Sequence, residues 1–196
     1  MLHFWPRPLS GAPKEERVRS CSDVHNFLCE EDVPHEILHL PSPADTARRA
    51  AESLGVPLGE VVKTLLFFLD AVPTLILVPG DAVAGSELIS AASGCTEVVL
   101  ARPHEVLRLT GYRAGALPPC GLATSLSAFA DPQVFTPPVV YCGGGTTTTM
   151  LKLRSGDLRR VVAAHVAPVG HWPQWGAAAG APPVVAERGR EARSSG

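Results

Sequence analysis

Val61-Val-Lys-Thr-Leu-Leu-Phe-Phe-Leu69, followed by Asp70-Ala-Val-Pro73 and then Thr74-Leu-Ile-Leu-Val78, is the stretch that decides the fold. Both flanking runs are nearly all apolar and rich in β-branched and aromatic side chains. They read as central strands buried on both faces, and the four residues between them are short enough for a hairpin turn. Pro79-Gly80-Asp81 closes the second run with turn formers.

Working outward toward the start, Pro41-Ser-Pro43 turns the chain into a helix with Asp45 as N-cap. Ala47, Ala50, Ala51 and Leu54 lie on one side of it, and Gly55 is its stop. Before it lie a short strand, His35 to Leu40, and a helix capped near Ser22 that carries Val24, Phe27 and Leu28 on one face and stops before Val33-Pro34. Toward the other end the reading is a helix from Gly85 to Ala92, a buried strand from Glu97 to Ala101, and a helix opened by Pro103, running through Leu109 and ended by Gly111. A long loop, Tyr112 to Leu122, follows. The last elements are a strand from Val139 to Cys142, the run Gly143-Gly-Gly145, a strand from Met150 to Arg154 and a helix from Gly156 to His165. Helices and strands mix without regular βαβ alternation, so the expected class is α/β of an α+β-like kind: a mixed central sheet with helices packed around it.

Length and composition set the outer bounds. A chain of 196 residues, 45% hydrophobic and 18% charged, can bury one core. Residues 1–19 read as a poorly ordered extension, 20–169 as the folded domain and 170–196, rich in Ala, Gly and Pro, as a disordered tail. The formal net charge of −2 excludes a whole-molecule positive field, so any RNA contact must be local. Five cysteines without a C-x-x-C pair fit neither a disulfide framework nor a zinc knuckle, and a reducing cytoplasm is expected. Met1 to Ser10 lacks the continuous apolar stretch of a signal peptide, and no run approaches the ~20 apolar residues of a membrane span.

Three features could carry chemistry. Lys63 places one cation inside an apolar strand. Its stem could pack on neighbours while the head reaches water, or the ammonium could be aimed into a cleft to bind phosphate or stabilise charge on an ester carbonyl. The loop Thr110-Gly-Tyr-Arg-Ala-Gly115-Ala-Leu-Pro-Pro119-Cys-Gly121 combines glycines, which let backbone N–H groups approach a ligand, with a proline pair that fixes its shape. It could equally be a surface connection. Tyr141-Cys-Gly143-Gly144-Gly145 is either a flexible turn or a second backbone wall of a ligand site. His35 and His39 have a helical metal-ligand spacing but sit in a predicted strand, so no metal site is read there. The glycine triplet lacks the lysine of a nucleotide P-loop. No cofactor is expected, and the commoner fate of Cys120 and Cys142 is as buried, inert thiols.

Taken together, several motifs resemble a known family. Glu52-Ser-Leu-Gly-Val-Pro-Leu-Gly-Glu-Val-Val-Lys63-Thr-Leu-Leu-Phe67, the Val78-Pro-Gly-Asp81 turn, the Gly111 to Gly121 loop and Tyr141-x-Gly-Gly-Gly145 have the order and spacing of the YbaK and prolyl-tRNA-synthetase-associated proteins. The resemblance spans about Ser22 to Val166. It implies a curved mixed sheet and a trans-editing deacylase that hydrolyses the ester of a mischarged tRNA carrying a small amino acid. By the same correspondence Lys63 is the catalytic-site residue, and His35, Gly115, Pro119, Gly121, Gly143, Gly144 and Gly145 are expected to hold the aminoacyl-adenosine end. The implied partners are the acceptor end of tRNA and, as a second candidate, an aminoacyl-tRNA synthetase. No protein nucleophile is implied, in keeping with a sequence that has no G-x-S-x-G elbow.

Three positions depart from the cysteine-removing branch of that family: His35 replaces an aromatic residue, Gly143 a serine and Met150 an aspartate. Thr46 and Thr64 stand beside motif positions without an assignable role. The competing reading is a non-catalytic module of the same fold that holds a tRNA end, a synthetase or a small ligand.

Overall fold

The computed structural model describes residues 18–173. The expected extension falls almost wholly outside these residues, as does most of the expected tail. The two decisive strands form as read: β2, Val61–Leu69, and β3, Val72–Pro79, pair antiparallel with Lys63 opposite Val78. The turn is tighter than the four residues expected. Asp70 and Ala71 alone make it, both at positive φ (46° and 69°), which matches the twist of a two-residue hairpin. Asp70 tolerates this conformation because its carboxylate accepts from the amides of Thr96 and Glu97 at 3.0 and 2.7 Å.

Around this hairpin stand α1 (Cys21–Glu30), β1 (His35–His39), α2 (Ala47–Leu54), β4 (Val83–Ala84), α3 (Ser86–Ser93), β5 (Val98–Leu100) and α4 (Pro103–Thr110). Then come β6 (Ser127–Ala130), β7 (Val139–Gly143), β8 (Thr149–Arg154), α5 (Ser155–Val162), β9 (His165–Val166) and β10 (Gly170–His171). Eight strands form one mixed sheet in the order β1-β8-β7-β2-β3-β6-β9, with β5 added beside β2. The pairs β2·β7, β3·β6 and β6·β9 are parallel and the rest antiparallel.

Alternation along the strands sorts side chains to two faces. Val62, Leu66, Leu75 and Leu77 join Val24 and Leu28 of α1, Val106 of α4 and Leu158 of α5 in one core. On the other face Phe67, Ile76 and Val78 pack with Ile89 of α3, while Val61 and Met150 pack with Ala50 and Ala51 of α2. Lys63 falls by alternation on this second face, between the α2 and α3 clusters.

Several local readings shift. α1 is capped by Ser20, whose amide and hydroxyl meet the Asp23 carboxylate in a capping box, rather than by Ser22. α2 is capped by Thr46, which accepts from the Arg49 amide, while Asp45 pairs with the Arg49 side chain. The strand read as buried from Glu97 to Ala101 is a short one at the margin of the sheet, with Val99 and Leu100 38% and 47% exposed. The last helix ends at Ala163 in the left-handed region, freeing His165 and Val166 to pair with β6. Gly170 and His171 pair with Ala84 and Val83, so the described fold continues two residues past 169. Among the described residues no helix is long and apolar enough to cross a membrane.

Candidate functional site

The sheet opens beside Lys63. β7 pairs with β2 only at Val61 and Val62, and β5 pairs with it only from Phe67 to Leu69. Lys63, Thr64 and Leu65 therefore lie on a stretch of β2 flanked by β3 on one side and by no strand on the other. Burial weakens there, from buried Val62 to half-buried Lys63, Thr64 and Leu65 and back to buried Leu66. A cavity of about 430 Å³ occupies the opening. Its polar features include Lys63, Thr64, Asp45 and Thr46, and its apolar wall includes Ala44, Ala47, Ala50, Val61, Leu117 and Met150.

Lys63 is held from the far side by the β3–β4 turn. Its ammonium donates to the carbonyl oxygen of Ala82. That turn is fixed in place by the Gly80 amide, which donates to the Val61 carbonyl at 2.6 Å. Burial lowers the Lys63 pKa from the ordinary value of 10.5, and the Asp81 carboxylate pulls it partly back. A partly desolvated ammonium is well suited to bind a developing oxyanion.

Of the residues expected to form the site, the fold brings Lys63, Gly115 and Gly143 to this cavity. Gly143 sits beneath the loop after α4: a Cβ placed on it would stand 2.5 Å from the Leu117 carbonyl oxygen. Gly145, at φ +97°, donates its amide to the Ala116 carbonyl at 3.1 Å, and the Gly144 amide donates to Thr149 O at 3.0 Å. The glycine run is thus a zip between β7 and the loop. The amides of Gly144 and Gly145 are spent on backbone rather than offered to a ligand, and neither residue lines the cavity.

Pro119 and Gly121 lie elsewhere, beside Phe27 and Val162 in a separate depression. The Gly121 carbonyl accepts from Tyr112 Oη at 2.9 Å and from Arg19 Nη1 at 3.0 Å, which anchors the loop's second half away from Lys63. His35 does not line the cavity either. It opens β1 opposite Leu153 and meets His25 of α1, with Nε2 2.8 Å from His25 Nδ1. His39 ends the same strand, roughly 13 Å along it, so the two histidines that share a helical spacing do not converge.

Thr64 is the residue the sequence left without a role. Its hydroxyl oxygen is buried and, among the described residues, has no hydrogen-bond partner, although the residue lines the cavity beside Lys63. The two buried cysteines, neither of which lines the cavity, are poor nucleophiles. Burial pushes the Cys120 thiol up to about 12, and burial with the influence of Cys120 drives Cys142 higher still.

Known proteins resemble the chain in sequence and in fold. The sequence profile of the family described as "Aminoacyl-tRNA editing domain" matches residues 41–161. The proline–tRNA ligase of Nitratidesulfovibrio vulgaris (strain Hildenborough) is 32% identical over 114 residues, which are 58% of this chain and 20% of that protein. The chain spans about a fifth of the length of the first curated relatives it matches. A solved structure described as a "putative trans-editing enzyme for prolyl tRNA synthetase" superposes with a TM-score of 0.72 at 28% identity, covering 83% of this chain and 99% of that one. A crystal structure of a "hypothetical protein" gives the same TM-score at 29% identity, with 76% and 99% covered. The match covers β2 with Lys63, the loop carrying Gly115 and the strand ending in Gly143, and the chain belongs to the aminoacyl-tRNA editing domain family.

Proposed function

We propose that the chain is an aminoacyl-tRNA deacylase that acts in trans, hydrolysing the ester of a mischarged tRNA that carries a small, apolar amino acid. The observation that supports this most directly is Lys63, a half-buried cation in a cavity otherwise walled mainly by alanines, Val61, Leu117 and Met150. An aminoacyl ester is already labile, so catalysis needs positioning and a donor for the carbonyl oxygen as it becomes an oxyanion. The Lys63 ammonium is that donor. The attacking oxygen comes from water, which adds to the ester carbonyl while the ribose oxygen leaves and takes up the proton, because Cys120 and Cys142 stay protonated at neutral pH.

Selectivity follows from the walls. Met150 supplies a thioether where a polar side chain would want a hydrogen-bonding partner, and Ala44, Ala47 and Ala50 add apolar surface beside it. Alanine fits better than serine or cysteine. The names of the relatives make tRNA aminoacylated by prolyl-tRNA synthetase the first substrate to test, with the synthetase as a candidate partner. The net charge of −2 favours recognition of the acceptor end over a broad phosphate surface.

A non-catalytic binding module is the competing reading, and the bond from Lys63 to the Ala82 carbonyl is the observation in its favour, since the ammonium already has one partner. Deacylation of Ala-, Cys-, Ser- and Thr-charged tRNA by the purified chain separates the two. Selective release of alanine is expected. Binding without turnover of any of the four supports the module.

A further inference from the structure

Outside the Lys63 cavity, three side chains with metal-ligating atoms converge between α1 and β1. His25 and Cys29 are one helical turn apart on the exposed side of α1, and His35 opens β1. The ligating atoms of all three lie within 4.8 Å of one another. His25 Nδ1 is 2.8 Å from His35 Nε2, and Cys29 Sγ is 3.6 Å from His25 Nε2 and 3.9 Å from its Nδ1.

The state of His35 is fixed by its other nitrogen. Nδ1 lies 2.7 Å from the Val33 carbonyl oxygen, which can only accept, so Nδ1 carries the proton and Nε2 presents a lone pair toward His25 and Cys29. A backbone carbonyl that fixes the tautomer and orientation of an imidazole is the usual outer support of a metal-bound histidine. The chain geometry holds Val33 in place, since its amide donates to the Leu28 carbonyl at 2.8 Å as the helix ends. Bond lengths of ~2.0–2.1 Å to nitrogen and ~2.3 Å to sulfur put tetrahedral ligand atoms roughly 3.3–3.6 Å apart. The observed 2.8 and 3.9 Å bracket that range, and the His25 side chain is exposed rather than locked in the core.

We propose that His25, Cys29 and His35 form a binding site for a divalent transition metal of the zinc type, with three protein ligands and a fourth position open to water. Two imidazoles and a thiolate suit such an ion and exclude magnesium and calcium, which prefer oxygen. On binding, the Cys29 thiol proton leaves to solvent, and the proton shared between the two rings moves to Nε2 of His25, leaving Nδ1 to the metal. The ion clamps the end of α1 to the first residue of β1, a strand with a single neighbour in the sheet.

The test uses the full chain, stripped with a chelator and titrated with Co²⁺. One equivalent is expected to produce the visible bands of tetrahedral cobalt and a near-ultraviolet thiolate-to-cobalt band, both lost on adding Zn²⁺. Cys29→Ser should abolish the charge-transfer band, His25→Ala should weaken binding about tenfold or more, and Cys21→Ser and Cys95→Ser should leave the spectrum intact. Zn²⁺ should raise the thermal midpoint of the wild type and not of Cys29→Ser. No tetrahedral spectrum at millimolar Co²⁺, or a charge-transfer band that survives Cys29→Ser, overturns the proposal. Both exposed ligands can be changed without disturbing the core, so a misfolded variant does not obscure the result.

Discussion

Gly143 and Leu117 are in such close apposition that a Cβ on the glycine would meet the leucine's carbonyl oxygen at 2.5 Å and its carbonyl carbon at 3.0 Å. The contact sets the height of the loop above the Lys63 cavity, which both residues line. Gly143→Ser should therefore displace the Ala116–Leu117 segment, because the obstructing atoms are backbone and cannot rotate away. A loss of about 1–3 kcal/mol is expected from overpacking, together with a fall in deacylation. Chemical denaturation and initial rates check both; a serine variant of unchanged stability and rate would show that the loop is free to lift.

Thr64 places a hydroxyl where no described residue bonds it. An unsatisfied buried hydroxyl is a stability cost, and valine has nearly the same shape. Thr64→Val is expected to raise stability by about 1 kcal/mol and to lower kcat/KM if the hydroxyl serves the substrate. A thermal melt and a rate measurement on one preparation decide it. Higher stability with full activity would make the hydroxyl a packing defect and no part of the site.

The protonation of Lys63 links activity and stability in opposite directions. Burial lowers its pKa below 10.5 in the folded chain. Between that lowered value and 10.5 the unfolded chain binds the additional proton, so the Lys63 contribution to stability improves as pH rises through this window. The ammonium needed by the reaction is lost over the same window. The rate above the Lys63→Ala background should fall with a midpoint below 10.5, while the stability of wild type relative to Lys63→Met improves. Rates and melts across alkaline pH test the pair; a midpoint at or above 10.5 argues against a desolvated lysine.

Asp131 holds the end of the described chain on the sheet. It is buried, and its carboxylate accepts from the amides of Gln133 at 3.0 Å, Val169 at 3.2 Å and Gly170 at 3.0 Å. Asp131→Ala orphans buried donors and should cost at least the ~1–3 kcal/mol associated with one of them. Urea unfolding measures it, and an unchanged midpoint would mean that these amides find other partners.

The sequence made β2 and β3 legible because a nearly unbroken apolar run bounded by turn formers leaves few alternatives, and Gly55 and Gly111 marked helix ends that both prove left-handed. β6, with only Ser127-Ala-Phe-Ala130, carries too little periodicity to stand out, and its partner β9 is two residues long. Within the site, Lys63 was legible as a charge out of place. Pro119 and Gly121 belong to the same loop as Gly115 yet face away, because Tyr112 and Arg19 anchor Gly121, a long-range constraint with no local signature. His25 and Cys29 have a visible helical spacing, but their meeting with His35 depends on how the turn after α1 redirects the chain.

The central claim rests on the Lys63 ammonium as the catalytic donor. Single-turnover deacylation of Ala-charged tRNA by wild type and Lys63→Ala, with tRNA affinity measured in parallel, tests it most directly. Loss of one oxyanion donor should slow the chemical step about 10²–10³-fold with affinity changed far less. Equal single-turnover rates for the two proteins would contradict the account.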